Sequence, residues 1–139
     1  MDIRLPGYQQ QLAQDVIGVG KPTVLLLFSG GLIDIGDLKL ADIAVVQGWF
    51  PGATGGTAVA ETVFGEQNRF GKLPYTIYPA GYVQHVGLAD MSMTTPPGRS
   101  YRYYTSTPTF SFGSGLSYAA TEARSVTPSS LSYGGTDAQ

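Results

Sequence analysis

Cysteine is absent from the 139 residues, which removes disulfides, thiolate metal sites and a cysteine nucleophile, and leaves the redox compartment unassigned. Charge is sparse as well. Lys and Arg number 8 against 10 Asp and Glu, a net charge of -2, so no basic track exists to follow a phosphate backbone, and nucleic acid is not an expected partner. Long apolar runs are missing too. The longest, Val24 to Phe28 and Ile43 to Val46, fall far short of the roughly 20 residues of a membrane-spanning helix, so no membrane partner is expected. The one histidine, His85, stands without a cysteine, a second histidine or a carboxylate at ligand spacing, and no metal site is expected around it.

What the chain has in quantity is glycine (19), proline (9) and tyrosine (9), in a composition that is 42% hydrophobic. That balance fits one modest packed domain rather than a disordered chain. The stretch Trp49 to Pro74 organises it. Pro51-Gly52 makes a turn, Gly55-Gly56 frees the backbone, and Ala58, Val59, Ala60, Val63 and Phe64 predict a helix over 57–64 that Gly65 stops. Upstream, Tyr8, Leu12, Ala13, Val16 and Ile17 predict a short amphipathic helix closing at Gly18 and Gly20.

Continuous apolar or β-prone runs predict strands at 23–28, 43–48 and 73–78, the first two reading as strands buried on both faces. Residues 32–39 between the first two read as an irregular crossover, with Asp34 and Asp37 as loop or cap residues. The order helix, strand, crossover, strand, helix, strand predicts an α/β fold with a parallel sheet. From Pro79 the chain becomes a long aromatic, Gly- and Pro-rich loop segment, of the kind that is more often functional than idle. Within it Tyr101 to Tyr104 reads as a short extended segment, and Phe110 and Phe112 as residues packing back on the domain.

Several chemistries fail on their own terms. Ser29-Gly30-Gly31 lacks the Gly-x-Ser-x-Gly context and a histidine partner. Gly52 to Gly56 opens a helix but lacks the Gly-Lys-Ser/Thr ending of a phosphate loop and the spacing of a dinucleotide fingerprint, so no cofactor is expected. Glu61 and Glu66 read as solvent-facing.

Three words in fixed order carry a resemblance: Trp49-Phe50-Pro51-Gly52 through Phe64-Gly65 with Gly71-Lys72-Leu73-Pro74, then Pro97-Gly98-Arg99-Ser100-Tyr101-Arg102, then Phe112-Gly113-Ser114-Gly115-Leu116-Ser117-Tyr118. Over residues 4–118 they resemble the C-terminal α/β domain of family 3 glycoside hydrolases. Tyr78-Pro79-Ala80, Asp90-Met91-Ser92-Met93 and Pro97-Gly98-Arg99 look like the β-xylosidase branch. The resemblance implies part of a parallel-sheet α/β sandwich domain, with an open sheet edge and an apolar patch. Residues 119–139 are then a polar, disordered tail where a fibronectin-III-like domain would follow.

The same resemblance implies an enzyme that removes terminal β-linked xylose or arabinose from plant-wall oligosaccharides, commonly secreted, with this chain a fragment of it. Glycoside hydrolysis needs two carboxyl groups flanking the scissile bond. By resemblance the nucleophilic Asp belongs to an N-terminal barrel and the acid/base Glu to a loop preceding Leu5-Pro6-Gly7-Tyr8-Gln9. No catalytic residue is therefore expected here, and carbohydrate is met only through the barrel. Asp90, Met91 and Arg99 are the expected rim of the sugar site, at the carboxyl ends of the strands. The simpler reading of Asp90 is a turn former, with the methionines covering apolar surface. The alternative function is a non-catalytic module binding carbohydrate or a partner chain.

Overall fold

The computed structural model describes residues 2–120. The expected disordered tail lies, from residue 121 onward, outside the described residues.

Helix α1, Gln9–Gly18, starts behind the Pro6-Gly7 turn, where Gly7 takes φ 56° and the Gln9 amide donates to the Pro6 carbonyl at 3.3 Å. It ends where the Val19 and Gly20 amides turn back onto the carbonyls of Val16 and Ile17. Ala13 and Ile17 face inward, whereas Leu12 and Val16 are 63% and 49% exposed. The chain then enters β1, Val24–Leu27, and after a 3-10 turn at Gly36–Leu40 enters β2, Ala44–Gln47. The two strands pair in parallel with Val24 opposite Ala44 and Leu27 opposite Gln47. β-branched and leucine side chains suit this pleated ladder.

Alternation along the strands sends Leu25, Leu27 and Val45 to one face, where they join Leu5, Ile35 and Leu38 in the core, backed by Ile17, Ile33 and Phe110. Ile35 is fully buried. The other face is covered less, and Val24 is 41% exposed. The reading of strands buried on both sides therefore holds for one side only. The groove between α1 and β1, about 460 Å³ and lined by Leu12, Val16, Val24 and Leu26 among others, remains open.

Helix α2, Gly55–Val63, begins two residues before the expected start because Gly55 packs its bare Cα against Pro51, where a Cβ would lie 2.4 Å from the proline ring. Its apolar face is largely uncovered, with Phe64 82% exposed. Residues 73–78 correct the sequence reading. They form no strand of the parallel sheet; Ile77 alone bridges Phe110, antiparallel, and Leu73 exchanges hydrogen bonds with Gly113 and Ser114. A β-prone segment needs a neighbour to supply its ladder, and here the returning chain at 110–114 takes that place instead of β2. Short helices α3, Tyr82–His85, and α4, Ser100–Tyr103, complete the described elements. The extended segment expected at Tyr101 to Tyr104 is thus helical until its last residue. The sheet is small, and the fold class is that of a partial α/β unit with parallel strands.

Candidate functional site

The loop from Tyr78 to Thr109 is built around three tyrosines. Tyr78 and Tyr82 stack with centroids 4.0 Å apart and planes 8° from parallel, and Tyr104 meets both edge-on at 4.9 and 5.6 Å. Offset stacks and edge contacts are the geometries that the ring quadrupoles favour. Each outer ring also serves the backbone: the Ser100 amide donates to the Tyr78 phenol oxygen at 2.6 Å, and the Tyr82 hydroxyl donates to the Gly98 carbonyl at 3.1 Å. Burial, reinforced by the neighbouring Tyr78, pushes the Tyr82 phenol up, and burial does the same to Tyr104. Both rings are therefore neutral at physiological pH and keep a hydroxyl proton to donate.

Gly98 and Ser100 both take left-handed backbone, at φ 87° and 59°. At Gly98 no other residue fits, because a Cβ would sit 1.9 Å from the Tyr103 carbonyl oxygen. This kink points Arg99 back across the loop. Its Nη2 donates to the Gly87 carbonyl at 3.3 Å and to the Asp90 carbonyl, while its amide donates to Met93 at 2.9 Å. One guanidinium thus fixes the 87–93 turn. Its Nε is buried without a partner among the described residues.

Asp90 and Arg99 are accordingly brought together, but through the Asp90 backbone. The Asp90 carboxylate instead accepts the Ser92 amide at 2.8 Å. That bond first, then the Thr95 hydroxyl and the Arg99 charge, holds Asp90 below the usual carboxylate value. Met91 stands 85% exposed beside it. The three residues expected as a rim share one turn, with Asp90 ionised, Met91 open and Arg99 spent on shaping the turn.

Other sequence candidates lie elsewhere. Ser29 donates its hydroxyl to the Gly31 carbonyl and accepts the Gln47 amide, so it is a strand-end bracket. Glu61 is half-buried on α2 rather than solvent-facing; Glu66 and His85 are exposed. Among the described residues no three His, Cys, Asp or Glu side chains converge where a metal ion could be held.

Asp34 departs furthest from its sequence reading. It is 7% exposed, a buried carboxylate. Its Oδ1 accepts the Thr109 hydroxyl at 2.8 Å and the Gly36 amide at 3.2 Å, and its Oδ2 accepts the Ala80 amide at 2.7 Å. The only hint in the sequence is an acid between two isoleucines, Ile33 and Ile35.

Comparison with known proteins places these features. The chain is 41% identical over 134 residues to a beta-xylosidase/alpha-L-arabinofuranosidase of Medicago sativa subsp. varia, covering 91% of this chain and 17% of that protein. It is 43% identical over 122 residues to beta-D-xylosidase 1 of Arabidopsis thaliana, covering 82% of this chain and 16% of the relative. Among solved structures, a family 3 exo-beta-xylosidase in complex with a xylobiose aziridine activity-based probe superimposes with a TM-score of 0.81 at 36% identity, over 86% of this chain and 16% of that one. The chain thus spans about a sixth of the length of the relatives it matches. Residues 1–118 match the glycosyl hydrolase family 3 C-terminal domain, and with a parallel sheet, relatives and structural neighbour in agreement, the chain belongs to that family.

Proposed function

We propose that this chain supplies part of the α/β wall of a sugar site in an enzyme that releases terminal β-linked xylose, or arabinose, from plant-wall oligosaccharides. The observation that carries this reading is the likeness to xylosidases in sequence and in fold together. The turn at Asp90 supports it. An ionised carboxylate accepts hydrogen bonds from sugar hydroxyls, and an exposed thioether beside it offers a soft apolar surface to a sugar ring. Arg99 shapes the turn and does not itself reach outward.

The reacting groups, on this reading, come from outside the chain, from a barrel domain closing over the turn. A general acid at a glycosidic oxygen needs a raised pKa, and Asp90 is shifted in the opposite direction. Asp34 has both oxygens committed to neighbouring donors. Neither residue suits the acid role.

Two measurements test this. The purified chain is expected to show no turnover of an aryl β-xyloside above background. Joined to the barrel and upstream segment of the Medicago relative, it is expected to hydrolyse the xyloside in preference to the corresponding glucoside. Asp90→Asn in the joined enzyme then raises KM more than it lowers kcat. Turnover by the chain alone that is lost in Asp90→Asn, or a preference for glucoside, overturns the proposal.

A further inference from the structure

The loop that carries Asp90, Met91 and Arg99 leaves the domain at Ala80 and returns at Thr109, and both points meet one side chain. We propose that Asp34 is the positioning residue of this loop: a single buried carboxylate clamps its two ends to the crossover that follows β1 and thereby sets where the turn at 87–99 stands. The inference concerns the placement of the loop, and its link to sugar rests on the reading above.

The geometry is specific to a carboxylate. Asp34 Oδ2 takes the Ala80 amide at 2.7 Å, and Oδ1 takes the Thr109 hydroxyl at 2.8 Å together with the Gly36 amide at 3.2 Å. Backbone amides on both oxygens are obligate donors. An asparagine of nearly the same shape has one oxygen and one NH2 group, so in either orientation its NH2 faces a backbone N–H, from Ala80 or from Gly36. The Thr109 hydroxyl alone can turn and accept. The position therefore asks for two acceptor atoms, not merely for a small polar side chain.

Asp34 is itself well fixed. Its amide donates to the Ile3 carbonyl at 2.7 Å, and Ile35, next in the chain, is the fully buried centre of the core. The clamp transmits the position of the core to the loop rather than the reverse. At the loop's far end Thr109 and Phe110 donate their amides to the Ile77 carbonyl, so the two ends also touch one another. The tyrosine stack shapes the loop internally; Asp34 attaches it.

Amide hydrogen exchange and NMR of the folded chain test this, with Asp34→Asn and Thr109→Val as variants. Asp34→Asn is expected to speed exchange at Ala80 and through residues 87–99 by about ten- to a hundredfold, as loss of a buried acceptor does. Leu26 and Val46 in the sheet keep their protection. Thr109→Val, which leaves the carboxylate its two amides, is expected to produce a smaller change confined to the loop's return. Unchanged loop exchange in Asp34→Asn overturns the proposal, and so does a uniform loss of protection across loop and sheet in both variants, which would make Asp34 a general stability residue. The Asp90→Asn variant of the joined enzyme separates the two readings: an unchanged KM counts against the sugar rim while leaving the clamp to be judged on exchange alone.

Discussion

The Tyr103 carbonyl oxygen occupies the place where Gly98 would carry a side chain, 1.9 Å from an ideal Cβ. Gly98→Ala is expected to be strongly destabilising to the loop. Left-handed backbone alone costs an alanine about 1–2 kcal/mol, and the overlap falls on backbone, which cannot swing aside as a side chain would. Gly81→Ala is the control, since nothing lies within 4 Å of its Cβ position and its φ is -63°. Urea denaturation followed by tyrosine fluorescence is expected to show a lower midpoint for the first variant and little change for the second.

Tyr78→Phe keeps the stacked ring and deletes the acceptor of the Ser100 amide. The expected loss is about 1–3 kcal/mol if the amide is left unpaired, with faster exchange at Ser100 as its local signature. An unchanged Ser100 amide would show that water or another group replaces the phenol.

Asp90 titrates below its ordinary value of 3.8 because the folded turn offers hydrogen bonds to the charged form. A folded value below the unfolded one means that this contribution to stability is complete above the unfolded value and is lost as pH falls through the folded value. A carbon-detected NMR titration of the Asp90 carboxyl group is expected to give a midpoint under 3.8, and Thr95→Val is expected to raise it. A wild-type midpoint at or above the ordinary value would contradict the hydrogen-bonded turn.

The open groove between α1 and β1 exposes Leu12, Val16 and Val24 at 63%, 49% and 41%. Contiguous apolar surface of this kind, beside the edge of β1 that is unpaired among the described residues, favours association. In analytical ultracentrifugation the chain is expected to self-associate at micromolar concentration, and Leu12→Lys to shift it toward monomer without loss of helical circular dichroism. Monomeric wild type would show that the groove closes in solution.

The parts of this fold legible in the sequence are those with a local cause. β1 and β2 were readable because four or five consecutive apolar residues have few other uses in a short chain, and α1 because glycines bracket a helical period. Residues 73–78 carry the same β-prone composition, but strand pairing is a property of two segments, and the partner at Phe110 lies far along the chain. Asp34 was opaque for a related reason: two of its three donors come from residues 80 and 109, far along the chain. The expected rim was legible only through resemblance. Its chemistry, with Arg99 turned inward onto carbonyls and Asp90 held ionised by Ser92, arises from contacts that only the folded loop creates.

The antiparallel bridge between Ile77 and Phe110 turns the intervening loop into a handle whose two roots are joined. Closing a loop costs entropy that grows only with the logarithm of its length, about 0.6 kcal/mol for each doubling. Once the roots are tied, residues can be added or removed near the tip at 86–95 with little penalty to the sheet beneath. A scaffold built this way can revise the surface of its loop while its core stays as it is, so loop sequence and fold stability become separately adjustable.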